Sequence, residues 1–203
     1  NYLLRLGWGH GDTELVTRSE AIPLFDLDGV GRSPGRFDRK KLESVNAHYL
    51  KQATNERLVA LVAPRLEAPG GAALDDQQRA SLLALMDELK LRAKNLDDLA
   101  DSARFLARSR PLSMDEAAQK LLDADGLALL GKARQALAAT AFERESLETA
   151  ARALAETLGI GLGKVAAPLR AALTGRTTSP SVFAILAALG RAESLGRVDD
   201  ALG

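Results

Sequence analysis

The stretch Asp75–Arg92, DDQQRASLLALMDELKLR, decides the fold class of this 203-residue chain. Leu82, Leu85 and Leu89 recur at intervals of three and four residues, which places them on one face of an α-helix. Arg92 continues the same line three residues further on. An arginine at that place either binds the carbonyl groups that end the helix or points into a recognition pocket. The stretch therefore predicts a helix with a buried leucine face and an arginine at its end whose role the pattern leaves open.

Helical patterning extends from this stretch in both directions and covers almost all of residues 54–203. Ala and Leu are abundant, and aromatic residues make up 4% of the chain, a composition that favours helices. We predict helices near 55–66, 76–92, 96–108, 114–123, 127–139, 146–158, 168–174, 180–189 and 191–202. N-cap spacing is present at Asp75 with Gln78, Asn95 with Asp98, Ser113 with Glu116, and Ser179 before Pro180. Left-handed glycines are predicted to end helices at Gly159, Gly175 and Gly190.

The first 53 residues contain more loop than helix. Asn1–Leu6 has the pattern of the last turns of a helix, and because it lacks both Met and a capping residue we expect the chain to be a piece of a longer protein. Thr17 and Glu20 have capping-box spacing and predict a short helix that ends near Phe25. A longer helix is predicted to begin after its N-cap, Asp38.

The helix after Asp38 carries two neighbouring stripes. Phe37 and Leu42 have the spacing of a hydrophobic staple at its start. One stripe is apolar and consists of Leu42, Val45 and Tyr49. The other is polar and consists of Lys41, Ser44, His48 and Lys51. The helix is therefore predicted to have an apolar and a polar side.

Charge and cysteine content exclude several classes of protein. The chain has 27 basic and 27 acidic residues, and this zero net charge argues against general polyanion binding, although a local basic face can still bind nucleic acid. There is no cysteine, which excludes disulfides and cysteine-ligated metal centres and indicates a reducing cytoplasm. No stretch approaches the roughly 20 apolar residues of a membrane span. We therefore expect a cytoplasmic protein without membrane contact.

No motif predicts catalysis. The Gly29–Gly35 loop fits neither the dinucleotide fingerprint nor the phosphate-binding Gly-Lys-Ser/Thr loop, so we interpret it as an irregular turn. His10, Asp12 and Glu14 alternate along the chain, but only one further histidine is present, which disfavours a metal site. No serine lies in a Gly-x-Ser-x-Gly context. The chain therefore shows no catalytic constellation.

Basic residues are segregated into two clusters. The first consists of Arg32, Arg36, Arg39, Lys40, Lys41 and Lys51, and the second of Lys90, Arg92, Lys94, Arg104, Arg108 and Arg110. Acidic residues dominate between 115 and 156. This segregation fits a surface that contacts a phosphate backbone, and an ordinary solvated charge pattern is the alternative.

Small residues surround one further arginine, Arg170. Arg170 follows Pro168 closely, so we place it in the first turn of its helix. The neighbouring positions on that side are small, namely Ala167, Ala171 and Thr174. A nucleotide base could approach there, and a surface arginine over small residues is the alternative.

Several motifs resemble one known family at both ends of the chain. At the start they are Leu4-Arg5-Leu6-Gly7-Trp8-Gly9-His10-Gly11-Asp12, Phe25-Asp26-Leu27-Asp28-Gly29-Val30, Arg36-Phe37-Asp38, and Lys41-Leu42-Glu43-Ser44-Val45-Asn46-Ala47-His48-Tyr49. Near the end they are Pro168-Leu169-Arg170-Ala171-Ala172-Leu173-Thr174-Gly175, Ser179-Pro180, and Phe183-Ala184-Ile185-Leu186-Ala187-Ala188-Leu189-Gly190. They resemble the bacterial glutamate–tRNA ligases, which are class I enzymes. The family more often has Ser where this chain has Gly9.

The resemblance implies an all-α fold in three parts. These are a stem-contact segment over 1–53 and two helical anticodon-binding subdomains over 54–104 and 105–203. Arg110-Pro111 is a second candidate for the boundary between the subdomains. The family's ATP site carries a His-x-Gly-His motif and a Lys-Met-Ser-Lys-Ser loop, and neither occurs in this sequence. The resemblance therefore implies that ATP and Mg bind in a catalytic half outside this chain, which alone is expected to be inactive and to hold no cofactor.

The resemblance also implies the partner and the residues that contact it. The partner is tRNA-Glu rather than DNA, and the parent enzyme is expected to be a monomer. Arg92 occupies the position associated with reading the third anticodon base, where Arg is typical of enzymes that reject tRNA-Gln and Gln of those that accept it. The other anticodon positions correspond to Arg170, Ser179, Pro180 and Val182. Contacts with the tRNA stem are expected from Arg36, Lys41, Ser44, His48 and Lys51.

Two functions of other classes compete with this interpretation. A helical protein–protein interaction module would present an exposed apolar groove and would bind no RNA. A free-standing enzyme would need His10 or His48 as its acid–base group, and no partnered set accompanies either.

Overall fold

The computed structural model describes residues 1–32, 34–67 and 73–203, and within these ranges it is built from helices. They are α1 (Tyr2–Gly7), α2 (Arg18–Leu24), α3 (Arg39–Gln52), α4 (Asn55–Leu66), α5 (Asp76–Lys90), α6 (Leu96–Ala103), a short 3-10 helix (Arg104–Ala107), α7 (Glu116–Lys120), α8 (Ala124–Ala138), α9 (Arg144–Thr157), α10 (Leu162–Thr174) and α11 (Val182–Leu202). The only strand-like pairing in the described ranges is an isolated bridge between Trp8 and Val30. The predicted all-α class is confirmed.

Side-chain caps account for most of the helix starts. The Asp75 carboxylate accepts the backbone N–H of Gln78, and the Gln78 side chain accepts that of Asp75, so the predicted capping box is present. Thr17 forms the second predicted capping box, and the predicted N-caps Asp38 and Asn95 are also confirmed. The N-cap predicted at Ser113 is wrong, because the Asp115 carboxylate accepts the N–H of Ala118 and starts α7 two residues later.

Two predicted starts near the end of the chain are wrong. The first turn of α10 begins at Leu162 rather than Pro168, so Arg170 lies in the third turn. Pro168 lies within α10 and lacks a backbone N–H, so the helix loses one hydrogen bond there. The proline is buried, and α10 continues through it. The N-cap of α11 is Ser181 instead of Ser179, because the Ser179 side chain is directed to other partners.

Glycines end or bend the helices where the sequence predicts. Gly159 and Gly175 have φ of 63° and 71° and follow α9 and α10. A Cβ at Gly175 would lie 2.5 Å from the carbonyl oxygen of Ser113, so both conformation and space require glycine there. Gly190, with φ 75° and ψ 171°, interrupts α11 with non-helical backbone, so that α11 consists of two helices that meet at a kink. The predicted separation of two helices at Gly190 is therefore confirmed.

One connected core runs from Leu50 to Val198. The α11 helix packs against α5, α8, α9 and α10, while α4 packs against α5 and α6. Residues on both sides of the predicted 104/105 boundary contribute to this core, and the division into subdomains stays a prediction. Because α11 touches both groups of helices, its position determines how the two groups meet.

Arg197 links three elements inside this core. Its side chain is 2% exposed, and one guanidinium nitrogen donates to the carbonyl oxygens of Phe105 and Leu173 at 3.1 and 2.8 Å. Its Nε pairs with Glu193 on the same helix at 2.6 Å. Burial lowers the pKa of Arg197, which Glu193 opposes. The arginine thereby holds the end of α10 and the 3-10 helix against α11.

The N-terminal segment is less deeply packed than the rest. On α3, Leu42 and Tyr49 of the predicted apolar stripe are 37% and 41% exposed, and the buried residue is instead Leu50. Phe37 packs edge-on against Tyr2 of α1. None of the described helices combines the length and apolar composition required to cross a bilayer.

Candidate nucleic-acid interface

Two arginines that are distant in sequence meet at one serine. The Nε of Arg170 on α10 donates to the side-chain oxygen of Ser179 at 3.0 Å. Arg92, two residues beyond the end of α5, donates to the carbonyl oxygen of Ser179 at 3.5 Å. The Ser179 hydroxyl in turn donates to the carbonyl oxygen of Pro180 at 2.8 Å. Residues 78 positions apart are thus brought together, and we call Arg92 and Arg170 the arginine pair.

The positions of the arginine pair follow from how three helices end or begin. The leucine face of α5 is buried, so the turn after Lys90 brings Arg92 out at the rim of the core. The left-handed Gly175 ends α10 and reverses the chain. The returning segment passes Ser179 and the buried Pro180 before α11 begins. Each arginine therefore extends from a packed helix toward the same short loop.

No carboxylate neutralises the arginine pair within the described ranges, since neither residue forms an ion pair there. Arg170 is half-buried, and its pKa is lowered first by burial and then by the positive charge of Arg92. Both guanidinium groups only donate hydrogen bonds. The pair therefore favours a ligand that supplies acceptor atoms or negative charge.

A third arginine near the pair is neutralised. Arg176 binds the Asp101 carboxylate through two hydrogen bonds of 2.7 and 3.0 Å. These bonds from Arg176 lower the pKa of Asp101 and raise that of Arg176. Arg176, Asp101 and Arg92 line a cavity of about 170 Å³, to which Ser179 and Pro180 also contribute. Of the two arginines that line this cavity, Arg176 is therefore paired with a carboxylate, whereas Arg92 forms no ion pair in the described part of the chain.

Four of the five predicted anticodon residues lie together, and the fifth lies beneath them. Arg92, Arg170, Ser179 and Pro180 surround the loop before α11. Val182 is 1% exposed and belongs to the core, so it can support the loop but offers no surface. Ala171 and Thr174 are also buried, at 0% and 1%. Ala167, the third of these small residues, is half-buried, and the approach of a base to this side of Arg170 stays a prediction.

Sequence reasoning missed several residues that build this site. Glu88 accepts the backbone N–H of Ser181 at 2.8 Å, and its other oxygen lies 2.8 Å from an Arg144 guanidinium nitrogen. One local signal was present, because Glu88 precedes Arg92 by four residues and so lies on the same side of α5. No local sequence pattern indicates the contact of Arg176 with Asp101 or that of Arg144 with Glu88.

A second basic surface follows α3. Ser44 and Lys51 are exposed, while Lys41 and His48 are half-buried. Their spacing places all four along one side of the helix over roughly 15 Å. Arg36 precedes the helix and lines a cavity of about 850 Å³ together with Lys41 and Arg5. Within the described ranges none of the predicted stem residues forms an ion pair, so their charges face solvent or a partner.

The two surfaces are joined by one hydrogen bond. Asn46 on α3 donates to the carbonyl oxygen of Lys94 at 2.6 Å. Lys94 lies two residues after Arg92, in the segment that connects α5 to α6. The basic surface on α3 is therefore linked through this bond to the turn that carries Arg92.

The other sequence motifs have structural surroundings of their own. In the glycine-rich loop, Gly31 donates its N–H to Gly7 and Gly29 accepts the N–H of Gly9, while position 33 lies outside the described residues. His10 stacks on Trp8. No group of three or more His, Asp or Glu side chains in the described part of the chain is placed to hold a metal ion.

Residues 57–202 match the family model of the anticodon binding domain, and the chain belongs to this family. Among curated proteins, it is 58% identical to glutamate–tRNA ligase 2 of Rhizorhabdus wittichii over 100% of this chain and 43% of that protein. It is 51% identical to glutamate–tRNA ligase 2 of Zymomonas mobilis over 100% of this chain and 42% of that protein. The chain thus spans about two fifths of the length of these relatives.

Solved structures agree with the family assignment. The crystal structure of a glutamate tRNA ligase from Elizabethkingia meningosepticum, in complex with its amino acid, superimposes with a TM-score of 0.84 and 28% identity. The match covers 99% of this chain and 39% of that protein. The fold seen here is therefore that of one part of those longer enzymes.

Because the members of the arginine pair repel each other, their removal should not weaken the fold. We expect Arg92→Gln to leave the melting temperature unchanged or raise it slightly, since the neighbouring charge on Arg170 is relieved. The matched variant Arg176→Gln loses its bonds to Asp101 and should lower the free energy of unfolding by about 1 kcal/mol. Thermal unfolding followed by circular dichroism compares the two. Equal destabilisation would contradict the assignment of Arg92 as an unneutralised group.

Proposed function

We propose that this chain is the part of a glutamate–tRNA ligase that binds and recognises the anticodon of tRNA-Glu. The observation that carries the proposal is the unneutralised arginine pair, whose members both donate to Ser179 beside a small cavity that Arg92 lines. A protein gains nothing in stability from two facing arginines, so a ligand with acceptor atoms explains them better than the fold does. Membership of the anticodon binding domain family and the similarity to glutamate–tRNA ligases support RNA as that ligand.

The chemistry of Arg92 suits the third anticodon base. Bases of an RNA loop can be splayed out so that their hydrogen-bonding edges meet protein side chains. The pairing edge of cytosine offers two acceptors, which a guanidinium group can bind, whereas that of guanine offers mainly donors. Arg92 therefore favours the cytosine of tRNA-Glu over the guanine of tRNA-Gln. This preference is the discriminating behaviour that the sequence resemblance implies for an arginine at this position.

The parent enzyme is proposed to be an ATP-dependent glutamate–tRNA ligase of the cytoplasm. Its activation chemistry, with ATP and Mg, is assigned to a part outside these 203 residues, since the sequence contains neither class I ATP motif. The contribution of this chain is binding energy and selectivity, which orient the tRNA for reaction elsewhere. In the described ranges after residue 54, the exposed large apolar side chains are Leu61, Leu83 and Leu91. They lie on α4, α5 and the turn after it, and Leu61 lines a cavity of about 470 Å³ with Leu58 and Leu96. RNA binding is preferred to the protein-interaction module because of the family membership.

Loss of either member of the arginine pair should weaken binding of tRNA-Glu. Each of Arg92→Ala and Arg170→Ala is expected to cost about 1–3 kcal/mol, the value of one lost base contact. Fluorescence anisotropy with a labelled tRNA-Glu transcript measures the dissociation constants. Arg152→Ala is the control, because that arginine pairs with Glu148 on the exposed side of α9. Affinities equal to wild type in both variants would remove the arginine pair from the RNA site.

We further propose that the α3 surface contacts the phosphate backbone of the tRNA stem. The support is the line of Lys41, Ser44, His48 and Lys51, with Arg36 at its start, and its attachment to the arginine-pair turn through Asn46. Phosphate contacts position a nucleic acid without reading its sequence. The two surfaces would therefore divide the task, with α3 fixing the register and the arginine pair selecting the base.

Removing charge from α3 should change the salt dependence of binding and leave base selectivity intact. The double variant Lys41→Ala/Lys51→Ala is expected to reduce the slope of log affinity against log salt by about two, one for each lost phosphate contact. Lys132→Ala on α8 provides a control with an exposed lysine outside the proposed surface. Anisotropy titrations across a salt series measure the slopes. A slope unchanged by the double variant, or lowered equally by Lys132→Ala, would contradict the α3 contact.

A further inference from the structure

Glu88 connects three helices directly beneath the arginine pair. One carboxylate oxygen accepts the backbone N–H of Ser181, and the other lies 2.8 Å from a guanidinium nitrogen of Arg144. The Glu88 side chain is 22% exposed and lines the same cavity as Arg92 and Ser179. These contacts tie α5 to the first residues of both α9 and α11.

The contact with Ser181 supplies the half of a capping box in which a carboxylate accepts the N–H of the N-cap residue. Ser181 is the N-cap residue of α11, yet its own side chain makes no capping hydrogen bond. The first N–H groups of a helix need acceptors, and negative charge is stabilising near this end. Glu88 supplies one such acceptor and a charge from another helix, across 93 residues of sequence. The start of α11 is therefore fixed by α5 rather than by a local motif.

The fixed start of α11 also fixes the serine that holds the arginine pair. Ser179 is two residues before Ser181, and the residue between them is a buried proline with a restricted φ. Ser179 accepts from Arg170 through its side chain and from Arg92 through its carbonyl group. A shift of Ser181 would consequently displace both acceptors together.

The pairing with Arg144 prevents Glu88 from cancelling the site's charge. An unpaired carboxylate in this cavity would attract Arg92 and compete with an RNA base for its donors. Arg144 stands at the start of α9 and balances the Glu88 charge. The carboxylate can then act on the backbone of Ser181 while Arg92 keeps its donors for a ligand.

We propose that Glu88 is a positioning residue that sets the arginine pair for base recognition. The inference rests on the proposed anticodon function and adds a residue that touches no RNA in this account. It acts through Ser181, Pro180 and Ser179, with Arg144 as its counter-charge.

The test compares Glu88→Ala with Asp87→Ala in the full 203-residue chain. Asp87 is the adjacent carboxylate on α5, pairs with Lys90 and is 73% exposed. Glu88→Ala is expected to weaken tRNA-Glu binding about tenfold and to reduce the preference over a transcript with guanine as third anticodon base. Asp87→Ala should match wild type in both. Glu88→Asp, which keeps the charge but is one methylene too short to reach Ser181, is expected to follow Glu88→Ala and serves if the alanine variant does not fold.

A second measurement separates positioning from general stability. Amide exchange at Ser181 should be about tenfold faster in Glu88→Ala, and the NMR signal of the Arg170 Nε–H should shift, while both stay unchanged in Asp87→Ala. Combining Glu88→Ala with Arg92→Ala should cost less than the sum of the single losses in RNA affinity, since both act on one contact. Full additivity, or wild-type binding by Glu88→Ala, overturns the positioning role alone. A wild-type chain that shows no preference for tRNA-Glu overturns the proposed function and the inference with it.

Discussion

The meeting of Arg92 and Arg170 at Ser179 is the contact on which the rest of the candidate site depends. Two like charges repel, and burial of Arg170 adds a desolvation cost. The pair persists because each arginine extends from a helix whose apolar face is locked in the core. The stability of the surrounding helices therefore maintains an arrangement that is useful only when a ligand supplies the acceptors.

The architecture explains how that arrangement is held. The α11 helix packs against α5 on one side and against α8, α9 and α10 on others, so it joins the two halves of the core. Buried Arg197 fixes its later part to the end of α10, and Glu88 fixes its start to α5. The loop that carries Ser179 lies between these two attachments. Its geometry is consequently determined at both ends, as the proposed recognition of a base would require.

Local sequence patterns predicted the helices well and the site only in part. Periodicity and caps are properties of neighbouring residues, which is why the leucine face of α5 and the Asp75 capping box were predictable. Pro168 has the local pattern of a helix start, but tertiary packing continues α10 through it. Ser179 is of a residue type that often caps helices, but its side-chain oxygen accepts a hydrogen bond from Arg170 instead. The Glu88–Ser181 contact joins residues that are 93 positions apart, so no local sequence pattern predicts it. The only local indication is that Glu88 precedes Arg92 by four residues.

The most direct test changes the base and the arginine together. Binding of wild-type chain and Arg92→Gln is measured by fluorescence anisotropy with tRNA-Glu transcripts that carry cytosine or guanine as third anticodon base. Guanine is expected to weaken wild-type binding by about 1–3 kcal/mol and to weaken Arg92→Gln binding far less, because the discriminating contact is already absent in the variant. The same loss for guanine in both proteins would show that Arg92 does not read this base and would contradict the central claim.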